Sequence, residues 1–233
     1  MHSSFGHSAA DGQLPCDRCI GKHYNVCRLL DAGRQRELFQ TGCRQRWDRR
    51  SYLFRADSPV GAVFKVTSGI VAETRTLIDG RRQIVGFFLP GDICGYLESE
   101  GRYSFDGEAI TRVETCSFDR DRFTAFLDSN RTVAEEMRRA LAERLMTMGD
   151  HLSVLGQLTS TERVANFLAM MTAAHEARNV QTEPLPMTLG DIADYLGLRI
   201  ETVSRALARL RRRPDNDAIQ AAADRPEQPA SIA

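Results

Sequence analysis

Three cysteines near the N-terminus have a spacing that favours metal chemistry. Cys16, Cys19 and Cys27 follow the pattern C-x2-C-x7-C, and they are three of the six cysteines in the 233-residue chain. Thiolates are the usual ligands of iron–sulfur clusters and of zinc. A four-coordinate site needs one more ligand, and the candidates are Cys43, Cys94 and Cys116. The spacing alone does not distinguish iron–sulfur from zinc.

A second group of residues has the chemistry of DNA binding. Acidic and basic residues balance over the whole chain, with 31 of each, so the net charge indicates no partner. Between Arg199 and Arg213, however, six arginines and one acid, Glu201, leave a local charge of 6 − 1 = +5. A basic segment on a neutral protein is typical of a surface that faces phosphates.

The apolar spacing around this basic segment predicts two short helices between Met187 and Arg213. Thr188 is placed to cap the first helix, and Gly197 supplies the left-handed residue that joins two helices at a steep angle. The inward-facing residues are Ile192, Ala193 and Leu196 on the first helix and Val203, Leu207 and Leu210 on the second. This pattern predicts a helix-turn-helix whose second helix enters the major groove of DNA.

The exposed face of the second helix carries side chains that read base edges. Arg205 can bind O6 and N7 of a guanine, Glu201 can accept from N4 of a cytosine, and Ser204 can pair with either kind of edge. The arginines further along the helix are expected to contact phosphates, and they are Arg209, Arg211, Arg212 and Arg213.

The region before the helix-turn-helix must position this reading face. From Ser51 to about Phe118, short β-like runs and turn signals alternate at roughly ten-residue spacing, which predicts an antiparallel barrel or sandwich. The strongest hairpin signal is Asp79-Gly80, for which we predict a type I′ turn. A helical period follows from about Thr132 to Leu158.

Two pairs are spaced as capping boxes, Thr132 with Glu135 at the start of this long helix and Thr159 with Glu162 at the start of the next one. The long helix carries an apolar stripe, which consists of Met137, Leu141, Leu145, Met148, Leu152 and Leu155. Such a stripe either packs on the chain's own β domain or forms a dimer seam. We favour the seam, because the stripe runs for about three heptads and symmetric operators need symmetric proteins.

Two segments of the chain resemble the Crp/Fnr superfamily. One is DIADYLGL followed by IETVSR, and the other is VTSGIVAETRTLIDGRRQIVGFFLPGDICGY. The likeness is to the Fnr branch, which includes FnrN and the cluster-bearing FixK proteins, and it spans roughly Cys16 to Arg213. It implies that Glu201, Ser204 and Arg205 read the bases of a palindromic operator with TTGAT half-sites. It also implies a homodimer and contact with RNA polymerase.

The same resemblance implies a cofactor and a switch. Fnr-like proteins take the fourth cluster ligand from the sensor domain, and Cys116 within RVETCSF matches that position, whereas Cys94 does not. The implied cofactor is a [4Fe-4S] cluster on Cys16, Cys19, Cys27 and Cys116, which leaves Cys43 and Cys94 as ordinary buried thiols. In such a switch, oxygen degrades the cluster, the dimer seam loosens and DNA affinity falls.

The sequence departs from the branch in two places. Arg199 stands where a threonine usually caps the recognition helix, and the loss of that oxygen costs on the order of 1 kcal/mol, although an arginine recovers affinity through phosphate. After Arg213 the family continues into a β-hairpin wing, but the tail PDNDAIQAAADRPEQPASIA lacks β alternation. We expect this tail to be disordered and the wing to be missing, through a natural truncation or a shifted reading frame.

Together these inferences predict an α+β fold with an N-terminal antiparallel β-roll of the cyclic-nucleotide-binding kind, a long dimerisation helix and a C-terminal helix-turn-helix domain. The expected segments are a cysteine-bearing segment, the β-roll sensor domain, the dimerisation helix, the DNA-binding domain and the tail. Their boundaries are 1–34, 35–128, 129–158, 159–213 and 214–233.

Other functions find less support in the sequence. The other large branch of the superfamily uses a cyclic nucleotide, and its members resemble one another in an arginine, followed by serine or threonine, that binds the anionic phosphate. Here Asp106 and Glu108 lie near the place expected for that arginine and would repel phosphate, and the nearby Arg102 lacks the right neighbours. Thiol-redox control without a cluster, or a role as a wing-less pairing partner with weak DNA binding, stays open. We find no phosphate-cradling loop, nucleophile elbow or His-Glu metal motif, so we expect no enzyme. No apolar run reaches the ~18 residues of a membrane span and no signal peptide is evident, which indicates the cytoplasm.

Overall fold

A computed structural model describes residue 23 and residues 25–40, 42–96, 98–178 and 186–212. The chain divides into two compact units, residues 1–148 and 149–233. Cys16, Cys19 and the expected tail after Arg213 lie outside the described residues, so the predictions about them stay predictions. Within the described residues, no helix combines the length and the apolarity of a membrane span.

The first unit consists of a β-roll with helices before and after it. Among the described residues of this unit, a 3₁₀ helix, Asn25–Leu29, and helix α1, Ala32–Gln40, precede ten strands. The strands are β1 (Gly42–Trp47), β2 (Tyr52–Phe54), β3 (Ala62–Ser68), β4 (Val71–Thr76), β5 (Arg82–Phe88), β6 (Ile93–Cys94), β7 (Glu98–Ser99), β8 (Arg102–Tyr103), β9 (Asp106–Ala109) and β10 (Val113–Asp119). Helix α2, Arg120–Ser129, then leads into the long helix α3, Arg131–Gln157.

The strands form two four-stranded antiparallel sheets and a small hairpin. One sheet has the order β1-β10-β3-β6, the other has the order β2-β9-β4-β5, and β7 pairs with β8. Side chains of both large sheets meet in one apolar core, which includes Phe54, Phe64, Val66, Val71 and Phe88. The predicted α+β fold with an antiparallel β-roll is therefore confirmed.

The predicted hairpin at Asp79-Gly80 joins β4 to β5, but its turn is of a different type. Gly80 has a φ of 82°, whereas Asp79 is not among the residues with positive φ. The Gly80 N–H donates to the Leu77 carbonyl over 2.9 Å, and the Leu77 N–H donates to the Arg81 carbonyl over 2.8 Å. This is a three-residue loop with a left-handed glycine, so the type I′ prediction was wrong.

A second apolar core lies where the flanking helices meet the roll. It joins Val26 and Leu30 to Phe118 and Phe123, and also to Met137 on α3. Met137 is only 4% exposed, so it belongs to the core of its own unit and not to a dimer seam, which corrects the sequence prediction. The stripe that remains accessible begins at Leu141.

The start of α3 also differs from the prediction. The helix begins at Arg131, so Thr132 lies inside its first turn and does not cap it. Glu135 instead pairs with Arg131 over 3.0 Å. The other predicted box forms as expected, because the Glu162 carboxylate accepts from the backbone N–H of Thr159 over 2.8 Å and from its hydroxyl over 2.7 Å.

In the described part of the second unit, the last turns of α3 are followed by three further helices. These are α4 (Ser160–Glu176), α5 (Leu189–Leu196) and α6 (Ile200–Arg211). Their shared core includes Phe167 and Met171 from α4, Ile192 and Leu196 from α5, and Val203 from α6, all almost completely buried.

Candidate DNA interface and candidate metal centre

The turn between α5 and α6 has the local chemistry that a helix-turn-helix requires. The Thr188 hydroxyl accepts from the Asp191 N–H over 3.1 Å, and the Asp191 carboxylate accepts from the Thr188 N–H over 3.0 Å. Gly197 has a φ of 61°, in the left-handed region that ends α5. Both expectations for Thr188 and Gly197 are confirmed, and this turn sets the direction in which α6 leaves.

Helix α6 buries one face and exposes the other, as predicted. Val203 and Ala206 are buried, at 0% and 3% exposure, and Leu207 and Leu210 are half-buried. Ala206 escaped the sequence analysis because a small residue adds little to an apolar pattern. The predicted DNA contacts on α6 are all exposed, namely Glu201, Ser204, Arg205, Arg209 and Arg211, as is Arg212 at its C-cap.

The first turns of α6 present the three predicted base-reading residues together. Glu201 and Arg205 are one turn apart, and the Arg205 Nε donates to the Glu201 carbonyl over 3.3 Å. Ser204 lies next to Arg205 on the same exposed face. Side chains at this end of a recognition helix are the ones that reach base edges in the major groove.

Arg199 occupies the N-cap of α6. Its backbone is extended, with a φ of −83° and a ψ of 150°, and no side-chain hydrogen bond caps the helix. The Arg199 carbonyl accepts from the N–H of Thr202 over 2.9 Å. An arginine therefore sits in a position that favours Ser, Thr, Asp or Asn, and its side chain is exposed.

Two of the four predicted metal ligands, Cys27 and Cys116, fall among the described residues. Cys116 on β10 packs against the second apolar core. Cys27 is in the 3₁₀ helix next to Val26, which is 1% exposed and belongs to the same core. Both thiols are half-buried and neither is in a disulfide. Among the described residues no three potential ligands gather, since Cys16 and Cys19 are outside them.

The remaining cysteines are less suited to bind metal, because a ligand must be a thiolate. Cys94 is 1% exposed in the core of the roll, and burial, together with the charges of Glu73 and Asp92, raises its pKa well above 9.0. Cys43 is half-buried on β1, and burial raises the pKa of its thiol as well. Cys43 lies opposite Ser117, whereas Cys116 lies opposite Arg44. The two thiols therefore point to opposite faces of the sheet.

The residue after Cys27 connects this segment to the long helix. The Arg28 guanidinium donates to Oε1 of Glu136 on α3 over 2.9 Å. The Glu136 side chain is 6% exposed and also pairs with Arg139. Sequence analysis did not find this pair, because the two residues are 108 positions apart.

Carboxylates engage several arginines of the roll. Glu108, 3% exposed, accepts from Arg50 and from Arg82, each over 2.9 Å. Glu73 accepts from Arg144 of α3 over 2.6 Å, and the Arg144 guanidinium also lies 4.4 Å from the centre of the Phe88 ring. The charge of Glu108 is thus compensated, so this carboxylate would not repel a cyclic phosphate as the sequence indicated. Arg50, Arg82 and Arg144 are already bound to carboxylates, and a phosphate would have to displace these carboxylates to bind the arginines.

The other residues of the predicted dimer seam lie on α3, and their side chains differ in how far they are exposed to solvent. Leu145 is 71% exposed and Leu152 is 70% exposed. Leu141, Met148 and Leu155 are half-buried. Met146, which was not predicted, is 70% exposed next to the seam. Large apolar side chains that stand free on one helix face are typical of an interface with another chain.

Comparison with known proteins matches both units to described domains. Residues 44–130 match the cyclic nucleotide-binding domain, and residues 162–214 match the Crp-like helix-turn-helix domain. The nitrogen fixation regulation protein FixK of Bradyrhizobium diazoefficiens is 36% identical over 201 residues, which cover 84% of each chain. The chain belongs to the Crp/Fnr family.

Further relatives agree with this membership. The transcriptional activatory protein AadR of Rhodopseudomonas palustris is 32% identical over 91% of this Crp/Fnr chain and 89% of its own. The solved structure of FixK2 from Bradyrhizobium japonicum superposes with a TM-score of 0.68 at 31% identity, covering 77% of this chain and 96% of that one. As a Crp/Fnr protein the chain is a DNA-binding transcription regulator and not an enzyme.

Proposed function

We propose that this Crp/Fnr regulator is of the Fnr type and binds, as a homodimer, a palindrome with TTGAT-like half-sites when its cluster is intact. The observation that carries the proposal is the exposure of Glu201, Ser204 and Arg205 together on the first turns of α6. Arg205 would read a guanine, Glu201 a cytosine on the opposite strand, and Ser204 a neighbouring edge. Arg199, Arg209, Arg211 and Arg212 would hold phosphates.

The dimer follows from the free apolar face of α3. Leu145 and Leu152, one heptad apart, are both about seven-tenths exposed, and a second copy of α3 would cover them. The half-buried Leu141, Met148 and Leu155 extend the same stripe. A two-fold dimer presents two recognition helices to the two halves of a palindrome, so each half-site strengthens the binding of the other.

We assign the cofactor site to Cys16, Cys19, Cys27 and Cys116. The two described members support this, because Cys116 packs against the apolar core to which Val26, the neighbour of Cys27, also belongs, whereas Cys94 is buried in the other core and its thiolate is disfavoured. A [4Fe-4S] cluster supplies, when bound, a link between the cysteine segment and the roll that oxygen destroys. Cys27 holds this link next to Arg28, and Arg28 bonds Glu136 on the dimerisation helix.

One experiment tests the proposal. The protein is purified without oxygen, iron and sulfide are determined, and binding to a TTGAT palindrome is measured before and after air. We expect about four iron and four sulfide per chain, and a fall in operator affinity in air of at least about tenfold. Cys116→Ser should lose the cluster. Cys43→Ser, on the same sheet but on its other face, is the matched control and should retain it.

The outcomes separate the alternatives. Protein that carries no iron and binds the operator equally well in air and without oxygen would overturn the oxygen switch but not the DNA-binding role. Affinity that rises with added cyclic AMP would favour a nucleotide effector, and affinity that follows added thiol reductant would favour thiol control. A chain that binds no palindrome in any state would act as a pairing partner only. If the proposed regulator activates transcription, it would also contact RNA polymerase, in the bacterial cytoplasm.

A further inference from the structure

Arg163 of α4 connects the ends of two other helices. Its three guanidinium nitrogens donate to three backbone carbonyls, of Leu155 over 2.6 Å, of Leu158 over 2.9 Å and of Leu196 over 3.3 Å. Leu155 lies in the last turn of α3, Leu158 directly follows that helix, and Leu196 is the last residue of α5. The carbonyls at helix C-termini lack partners within their helix and form its negative end, so a guanidinium is a suitable cap for both.

A second contact joins the same two helices. The ring of His151, on the penultimate turns of α3, stacks on the ring of Tyr195 of α5, with centroids 3.9 Å apart and planes inclined by 10°. The His151 Nε2 lies 3.1 Å from the Tyr195 carbonyl. Tyr195 is 4% exposed and also packs against Phe167 of α4. The end of the dimerisation helix is thus bonded twice to α5.

These bonds lie next to the turn that aims the recognition helix. Leu196 directly precedes Gly197, from which α6 takes its direction. A pivot between the end of α3 and α5 would turn α6 relative to Leu152 and Leu155, the predicted seam residues of the same unit. Two half-sites of a palindrome lie a fixed distance apart, about one helical turn of DNA or 34 Å, so a dimer binds both only when its two reading helices are held at that spacing.

We propose that Arg163 and His151 are positioning residues that set the half-site spacing this regulator recognises. This inference rests on the proposed function, since it requires a dimer on a palindrome. Neither residue needs to touch DNA. They act on the direction of α6 relative to α3, and hence on whether the second recognition helix meets its half-site. The fork of Arg163 cannot be replaced by lysine, whose single ammonium cannot reach three carbonyls in different directions.

The test compares binding of the full chain, without oxygen, to a single TTGAT half-site, to the native palindrome, and to palindromes lengthened or shortened by one and two base pairs. For the wild type we expect the native palindrome to bind at least about a hundredfold more tightly than the half-site. For Arg163→Lys and for His151→Ala we expect half-site affinity within about twofold of the wild type, a palindrome affinity about tenfold lower, and a flattened dependence on spacing.

Arg138→Lys is the matched control, because Arg138 on α3 is 66% exposed and pairs only loosely with Glu135, over 3.8 Å. It should behave as the wild type. Equal losses of affinity for the half-site and for the palindrome would mean that Arg163 and His151 only stabilise the second unit, which would overturn the inference. An unchanged dependence of affinity on spacing would also overturn it. A wild type with no preference for the palindrome would overturn the proposed function as well, which distinguishes the two failures.

Discussion

Arg28 donates a hydrogen bond to the buried carboxylate of Glu136 over 2.9 Å, and this bond joins the residue after Cys27 to the dimerisation helix. Glu136 is 5% exposed and lies one residue before Met137 of the second apolar core. A change in the cysteine segment therefore has a short route to α3. The route consists of one ion pair and the apolar residues beside it.

Removal of this ion pair should weaken the response to oxygen without removing the cluster. For Arg28→Ala we expect the iron content of the wild type, and a ratio of anaerobic to aerobic operator affinity at least about threefold smaller, because the ion pair that joins the residue after Cys27 to α3 is lost. Arg28 is 46% exposed, so the free energy of unfolding should fall by only about 1 kcal/mol. Arg34→Ala, an exposed arginine of α1, is the control. An unchanged affinity ratio would exclude this route.

Glu73 and Arg144 should be strongly coupled in stability. Glu73 is buried at 2% side-chain exposure and Arg144 is half-buried at 16%, so Glu73→Met leaves a largely buried cation unpaired and should cost about 3–5 kcal/mol. The double replacement Glu73→Met with Arg144→Met should cost much less, because no charge is left unpaired. Urea unfolding of the wild type, Glu73→Met, Arg144→Met and the double variant measures the coupling. Additive losses would show that the pair does not act as a unit.

Gly86 should be required for the same ion pair. A Cβ at this residue would overlap the guanidinium of Arg144. Gly86→Ala should therefore displace the arginine and destabilise the fold by about 1–3 kcal/mol. Gly80→Ala is not a suitable control, since Gly80 has a φ of 82°, but Gly61→Ala is, because open space surrounds that position. Thermal unfolding of the two variants should differ accordingly.

Arg205 and Arg212 should affect DNA binding in different ways. Arg205→Ala should lower affinity for TTGAT half-sites by about 1–3 kcal/mol and relax the preference at one base pair. Arg212→Ala should weaken all sequences alike and reduce the salt slope by about 1, as expected for a lost phosphate contact. Titrations on a panel of operator variants at several salt concentrations measure both effects. Equal loss of sequence preference in the two variants would contradict these roles.

A threonine at residue 199 should stabilise the recognition helix. Arg199→Thr restores a side-chain oxygen at the N-cap of α6 and should raise the free energy of unfolding by about 1 kcal/mol. Its operator affinity should fall if Arg199 holds a phosphate, while stability rises. Arg199→Ala supplies neither oxygen nor charge, so it should lose affinity without the gain in stability. We therefore expect both variants to have a lower operator affinity than the wild type, and only Arg199→Thr to have a higher melting temperature.

The sequence by itself determined the features whose causes are local. Helix α5 begins at a capping box formed by Thr188 and Asp191, and it ends at the left-handed Gly197. These residues lie within ten positions, so their identities determine both ends of the helix. The exposed face of α6 follows in the same way from the helical period, because every third or fourth residue shares a side. The β-roll was also predictable, since its turns are marked by the residues that turns require.

Only the tertiary structure decided which surface covers each apolar residue. Met137 and Leu145 belong to one stripe of one helix, yet they are 4% and 71% exposed. The second apolar core includes Met137 but does not extend to Leu145. The period of a helix shows that a face is apolar and does not show its neighbour. The loop at Asp79-Gly80 was likewise decided by the pairing of β4 and β5, which continues to the bond between Leu77 and Arg81 and leaves three residues, 78–80, in the loop instead of two.

Polar contacts between distant residues were beyond the reach of the sequence for a related reason. Arg144 finds Glu73 across 71 positions, and Arg163 finds the carbonyl of Leu196 across 33. The chain has 31 basic and 31 acidic residues, and their order does not tell which of them meet. These pairs form only in the folded chain, because a charged group is buried only where a partner compensates the free-energy cost of its desolvation.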